Sequence, residues 1–219
     1  MILGVPTLNR YDLLEKLIRS ALRGLLVPDK ILVVDNGGSY ENKHGERVEI
    51  IYSGPNIGVA AAWNRLLRAG AWVISNDDVE LGPETFARFL RALEVSPVTI
   101  IDGRYRWSLF GQRPEVTEKI GFYDEAFFPA YYEDNDYEYR LKLAGIVPTA
   151  VSDPAVTHVG WASSRDAKGA LRDPAEHSGW YQRNLAYYQR KWGGPPGKEI
   201  LRTPFIERSI SVTTDDEDE

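Results

Sequence analysis

Short apolar runs that do not alternate with polar residues recur through the first half of this 219-residue chain, each followed by an amphipathic stretch. Ile2–Val5, Ile31–Val34, Val48–Tyr52, Ala71–Ser75 and Val98–Asp102 are the apolar runs. Tyr11–Gly24, Val59–Ala69 and Pro83–Leu93 are the amphipathic stretches, with apolar residues at helical spacing. Strands that are apolar on both faces are buried on both faces, which is the signature of a parallel sheet covered by helices on each side. Tyr131–Ala144 and Pro174–Trp192 read as further helices, Val147–Val151 as another strand, and Arg104–Glu118 as short strands and loops.

Composition agrees with a soluble globular chain: 43% hydrophobic, 26% charged and no cysteine. Disulfides, thiolate metal sites and cysteine nucleophiles are therefore excluded. The net charge of −6 comes largely from the last five residues, Asp215–Glu219, all acidic. Without them the body is close to neutral, which argues against a dedicated nucleic-acid binder. No signal peptide and no apolar run of membrane-spanning length is present, so a cytoplasmic location is expected. The expected organisation is one domain over 1–192, its repeated β-α half running to about 102 and a differently patterned half beyond. Residues 193–219 form a C-terminal extension with an acidic, disordered tail.

In an open parallel sheet, ligands bind beyond the carboxyl ends of the strands. Polar groups stand at four such ends: Pro6, Thr7, Asn9 and Arg10; then Asp35; then Asn56 and Gly58; then Asn76, Asp77 and Asp78. Turn and cap duties explain any one of them, but a run of four is harder to explain so. There is no G-x-G-x-x-G, no P-loop and no G-x-S-x-G elbow, which argues against a dinucleotide-binding dehydrogenase, a P-loop ATPase and a serine hydrolase. Asp77-Asp78 after an apolar strand suits Mg²⁺ or Mn²⁺, which prefer oxygen ligands and share their sites with phosphates. Glu133-Asp134-Asn135-Asp136 opens a helix, where Asp134 can face a cleft as a general base. His158, in Thr157-His158-Val159-Gly160-Trp161, is balanced between a structural and a ligand role.

These pieces, in order, resemble inverting family 2-type glycosyltransferases of the GT-A fold, especially rhamnosyltransferase-like members. The matching segments are Val5–Arg10, Val33–Ser39, Asn56–Ala60 with Trp63-Asn64, Ser75–Val79, Gly121–Glu125, and Glu133–Asp136 with Arg140. The resemblance implies a Rossmann-like, mostly parallel α/β sheet with helices on both faces and a C-terminal helical extension. It implies a nucleotide-sugar site formed by Pro6, Thr7, Asn9, Arg10, Asp35, Asn56, Gly58, Asn64, Asn76 and Asp77. Asp78 and His158 would be metal ligands for Mn²⁺ or Mg²⁺, and Asp134 the catalytic base. Asn76 stands where the family's D-x-D motif has its first Asp. The implied reaction moves a sugar from a nucleoside-diphosphate donor, UDP- or dTDP-linked, to a hydroxyl of a glycan, a protein or a modified nucleic acid. A catalytically silent sugar-nucleotide-binding module on the same fold is the alternative.

Overall fold

The computed structural model describes residues 1–160 and 174–205. Strand β1 (Ile2–Thr7) lies inside the sheet, with β2 (Lys30–Asp35) and β4 (Val73–Ser75) parallel to it on either side. Beyond β2 comes β3 (Val48–Ser53), also parallel. Beyond β4 come β7 (Leu109–Gln112), β6 (Val98–Ile101) and β8 (Thr149–Val151), giving the order β3-β2-β1-β4-β7-β6-β8. A separate antiparallel pair joins β5 (Val79–Glu80) to β9 (Thr157–His158).

The expected parallel sheet is thus mostly but not wholly parallel, because β7 runs antiparallel to both β4 and β6. The reason is length. A parallel return needs a crossover of about a dozen residues or more, and β6 is joined to β7 by a short loop with one 3-10 turn, Arg106–Ser108. The stretch read as strands and loops also contains a helix, α4 (Pro114–Ile120), with proline in its first turn.

Helices α1 (Tyr11–Leu22) and α3 (Thr85–Val95) cover one face of the sheet, packing Leu14, Leu17, Ile18, Phe86 and Phe89 on Leu3, Val5, Ile31 and Val33. Helices α2 (Val59–Arg68), α4 and α5 (Glu133–Leu143) cover the other, with Trp63, Leu66, Tyr137 and Leu141 on Leu32, Val34, Ile74 and Phe110. The split follows from the strand pleat, which sends successive side chains to opposite faces. A third cluster, Phe127, Tyr132, Tyr139, Tyr188 and Trp192, fixes α6 (Pro174–Trp192) to α5. No described helix is long and apolar enough to cross a membrane.

Charge reinforces that third cluster. The buried Lys191 ammonium lies 2.7 Å from Asp124 Oδ2 and 2.6 Å from Asp136 Oδ1. Asp136 is fully buried and also accepts from Trp192 Nε1 at 2.8 Å and Arg140 Nε at 2.9 Å. Arg140 donates onward to the carbonyls of Ile120 and Phe122. On α6, Arg183, which donates to the Phe128 carbonyl, and Arg190, which lies over the Tyr187 ring, are exposed, whereas Lys191 is buried. In the aromatic segment before α5, Tyr123 and Phe127 pack inward. Tyr123 stacks on Tyr137 at 3.9 Å, and Phe127 is fully buried.

Removing one partner of a buried ionic group strands the others without compensation. Lys191→Met is expected to cost about 3 kcal/mol of stability, the lower end for such a loss because Asp136 keeps two other donors. Urea unfolding of the two proteins measures it; a difference under about 1 kcal/mol, the range of a surface ion pair, contradicts the buried network.

Candidate active site

A cleft of about 690 Å³ opens where β1 and β4 end. Pro6 and Thr7, the last residues of β1, line it, as do Asn56 and the turn Asn76-Asp77-Asp78 after β4. The start of α5 brings Glu133 and Asp134, and β9 brings His158. Residues remote in sequence thus meet because parallel strands all point their carboxyl ends the same way.

Five residues expected in the site do not line the cleft. Asp35 is fully buried and accepts from the N–H groups of Gly37 and Tyr40 at 2.9 Å, from Tyr11 Oη at 2.9 Å and from Ser53 Oγ at 3.1 Å. It ties β2, β3 and the following turn together, and its neighbour Asn36 reaches the cleft instead. Asn64 clamps α2 to the loop before α5, donating to the Tyr123 carbonyl and accepting from its N–H, both at 2.9 Å. Arg10 makes a two-pronged pair with Asp12, both contacts 3.0 Å. Asn9 is exposed with φ 60°. Gly58 opens α2 at φ 84°, and a Cβ there would lie 2.9 Å from the Phe128 ring. Its role is to let the Phe128-Pro129 backbone close on α2, where Pro129 O accepts from Val59 N at 2.8 Å.

Three carboxyl groups of the cleft, Asp77, Glu133 and Asp134, are held high. Burial, then the charge of Asp78, pushes Asp77 up to about 7 against the pull of its hydrogen bond from Thr7 Oγ1 at 2.6 Å. Burial, then Asp134, raises Glu133 well above the carboxylate range, and its Oε2 has no hydrogen-bond partner. Asp134 is raised by burial and further by Glu138, although a hydrogen bond from the Asn135 N–H opposes this. Asp35 behaves oppositely: burial alone would raise it, but its four donors hold it below the usual range.

Asp78 Oδ1 and His158 Nε2 lie 2.9 Å apart across the β5–β9 pair. Among the described residues no group of three or more His, Asp or Glu side chains is gathered for a metal. One carboxylate oxygen and one imidazole nitrogen fit a Mn²⁺ or Mg²⁺ ion that draws its other ligands from phosphate and water. The 2.9 Å contact is a hydrogen bond that Nε2 donates to the Asp78 carboxylate, and an ion held by both groups would take the place of that proton; among the described residues His158 Nδ1 has no hydrogen-bond partner.

The backbone entering α5 is strained. Tyr131 and Tyr132 both take positive φ, 83° and 73°, which shortens the helix expected from Tyr131 so that it starts at Glu133. Such a conformation costs about 1–3 kcal/mol per non-glycine residue and persists only when surrounding contacts impose it. Here Asn184, buried in α6, donates to the carbonyls of Ala130 at 2.8 Å and Tyr131 at 3.3 Å. The Tyr131 hydroxyl meets His177 Nδ1 at 2.8 Å.

Sequence reasoning named Trp63 within a matching segment and could read the basic-aromatic run 104–107, but it missed the α6 residues of the lining. Trp63, Arg104, Tyr105, Arg106 and Trp107 come from α2 and the β6–β7 loop, and Glu176, His177 and Trp180 from α6. The basic-aromatic run 104–107 was a visible signal. His177 carried none, since only the packing of α6 brings it to Tyr131.

The sequence model of glycosyl transferase family 2 matches residues 3–162. No curated protein matches the chain. Among solved structures it is similar to the mannosyltransferase PcManGT from Pyrobaculum calidifontis in complex with GDP-Man and Mn²⁺. The TM-score is 0.57 and the identity 16%, over 73% of this chain and 58% of that one. It is similar to S. aureus TarS 1-349, with TM-score 0.54 and 15% identity, over 71% and 58%. It is similar also to GalNAc-T7 with UDP, GalNAc and Mn²⁺, with TM-score 0.65 and 11% identity, over 87% and 47%. The chain spans about half the length of these structures, and at such identity the likeness is one of fold, GT-A.

The raised Glu133 carries a consequence for stability. A carboxyl that holds its proton more tightly folded than unfolded stabilises the fold below its unfolded pKa of about 4.3 and loses that contribution as pH rises through the folded value. At pH 8 the unfolded carboxyl is ionised, so folding must either bury its charge or take up a proton, and both oppose folding. Glu133→Gln is expected to raise Tm at pH 8 by roughly 2–4 °C, the effect of about 1 kcal/mol in a domain of this size. The gain should shrink toward zero at pH 4; a gain of equal size at both pH values contradicts the assignment.

Proposed function

This chain belongs to glycosyl transferase family 2, and on that premise we propose that its cleft binds a nucleoside-diphosphate sugar and transfers the sugar with inversion. The observation that carries the reading is the convergence, in one cleft, of the turn Asn76-Asp77-Asp78 and His158 with the adjacent acids Glu133 and Asp134. The neighbours solved with GDP-Man or UDP and with Mn²⁺ support the substrate class and the ion.

In this reading Thr7, Asn36 and Asn56 border the nucleotide. Asp134 accepts the proton of an acceptor hydroxyl as that oxygen bonds to the anomeric carbon. The bond from that carbon to the β-phosphate oxygen breaks on the opposite face, and the electron pair leaves with the diphosphate. A divalent ion held by Asp78 and His158 would supply positive charge to that leaving group. Asp134 suits the base better than Glu133, being half-buried and open to the cleft where Glu133 is buried. Its raised pKa brings it nearer the working pH, where a general base is most effective.

Asp134→Asn is expected to lower transfer by about 10²–10⁴-fold with donor affinity nearly unchanged. The rate of the unaltered protein should rise with pH along a limb set above the ordinary carboxyl value, since the base must be deprotonated. Transfer rates of Asp134→Asn and Glu133→Gln decide between the two acids; if only Glu133→Gln abolishes turnover, the base is Glu133.

Asp78→Ala should weaken nucleoside-diphosphate binding in Mn²⁺ far more than in EDTA, as calorimetric titration would show. Equal affinity of mutant and parent in Mn²⁺ removes the ion from Asp78. Tight donor binding with neither transfer nor donor hydrolysis would return the silent-module reading.

A further inference from the structure

Helix α6 stands outside the residues matched by the family, yet its first turns form one wall of the cleft. His177 and Trp180 sit three residues apart on one helical face, their rings 4.8 Å between centroids and nearly perpendicular. His177 is held by the Tyr131 hydroxyl, and Tyr131 stands two residues before Glu133 on the same cleft surface. Trp180 is half-buried and reaches the cleft. The β6–β7 loop contributes Tyr105 and Trp107 to the same cleft.

We infer that this α6 wall, centred on Trp180 and His177, is the acceptor subsite, and that the acceptor group it takes is a pyranose sugar. The inference rests on the transferase reading above. An aromatic ring offers a flat apolar face with a polar edge. A pyranose presents C–H groups on its faces and hydroxyls around its rim, so it can lie on the indole while the rim hydroxyls meet side chains. His177 and Glu176 supply polar groups beside Trp180, and Asp134 lies in the same cleft to receive a hydroxyl proton.

Charge argues for this over a nucleic acid. A nucleic-acid groove needs cations that track phosphates along its length. Here Glu133, Asp134, Glu138 and Glu176 all line the cleft. Of the two arginines that line it, Arg106 is engaged with Glu138 at 3.1 Å and Arg104 lies over the Tyr105 ring, so the described lining has no row of cations to follow a phosphate backbone.

Saturation-transfer NMR with a panel of methyl pyranosides, run beside calorimetric titration of UDP, dTDP and GDP in Mn²⁺, tests the assignment. The parent protein should contact at least one glycoside. Trp180→Ala should weaken that contact about tenfold or more, Trp180→Phe should restore most of it, and both should keep nucleotide affinity within about twofold, as expected for loss of one stacking platform. Unchanged glycoside binding in Trp180→Ala overturns the assignment. So does a parallel fall in nucleotide affinity, or a parent that binds its nucleotide but takes only a protein or nucleic-acid acceptor. A parent protein that binds none of the nucleotides overturns the transferase reading itself, and this subsite with it.

Discussion

Lys191 between Asp124 and Asp136 is the contact on which the α5–α6 side of the cleft hangs. Charges this deeply placed are costly to desolvate, and they hold only when each is matched and hydrogen-bonded. Arg140, Trp192 and Tyr187 supply the remaining bonds. The network joins three segments far apart in sequence: the loop after α4, the first turns of α5 and the end of α6. Once these are locked, the approach to α5 has little freedom. Asn184 can then hold the left-handed Tyr131-Tyr132 backbone that presents Glu133 and Asp134 to the cleft.

The carboxyl groups divide into two populations by environment. Asp35, buried, and Asp124, half-buried, receive several donors each, and their pKa values fall. Asp77 and Glu133, buried, and Asp134, half-buried, have fewer donors and acidic neighbours, and theirs rise. Groups of the first kind hold segments together. Those of the second kind oppose folding in their charged form and are gathered in one cleft, as expected where stability has been exchanged for chemistry. An anionic diphosphate entering that cleft would meet acidic side chains, which is the physical reason a cation beside Asp78 and His158 makes sense there.

The α/β class, the strands and helices of the first half and the turn after β4 were legible in the sequence. Apolar runs bounded by Asp, Asn and Gly can form little else, and strands that return in parallel must place their ends together. Asp78, His158 and Asp134 were legible as residue types in a favourable setting. The pairing of Asp78 with His158, 80 positions apart, was not, since the short β5–β9 ladder that joins them has no periodicity to read. Asp35 carried the polar-residue-at-a-strand-end signal equally well, yet its hydrogen bonds tie β2, β3 and the following turn together, while Asn64, inside α2, carried no such signal and clamps the loop before α5.

The C-terminal half marks the boundary most sharply. From the chain alone, 174–192 was a helix, and its boundaries agree with α6 (Pro174–Trp192). Its placement was undetermined, because the amphipathic pattern says that a face is buried but not against what. The acidic tail lies outside the described residues. Local sequence therefore determined which segments are strands and helices, through apolar periodicity and turn chemistry. Only the tertiary structure decided which polar side chains face the cleft. That choice is made by long-range ion pairs and by backbone carbonyls seeking donors, and neither leaves a trace in a run of neighbouring residues.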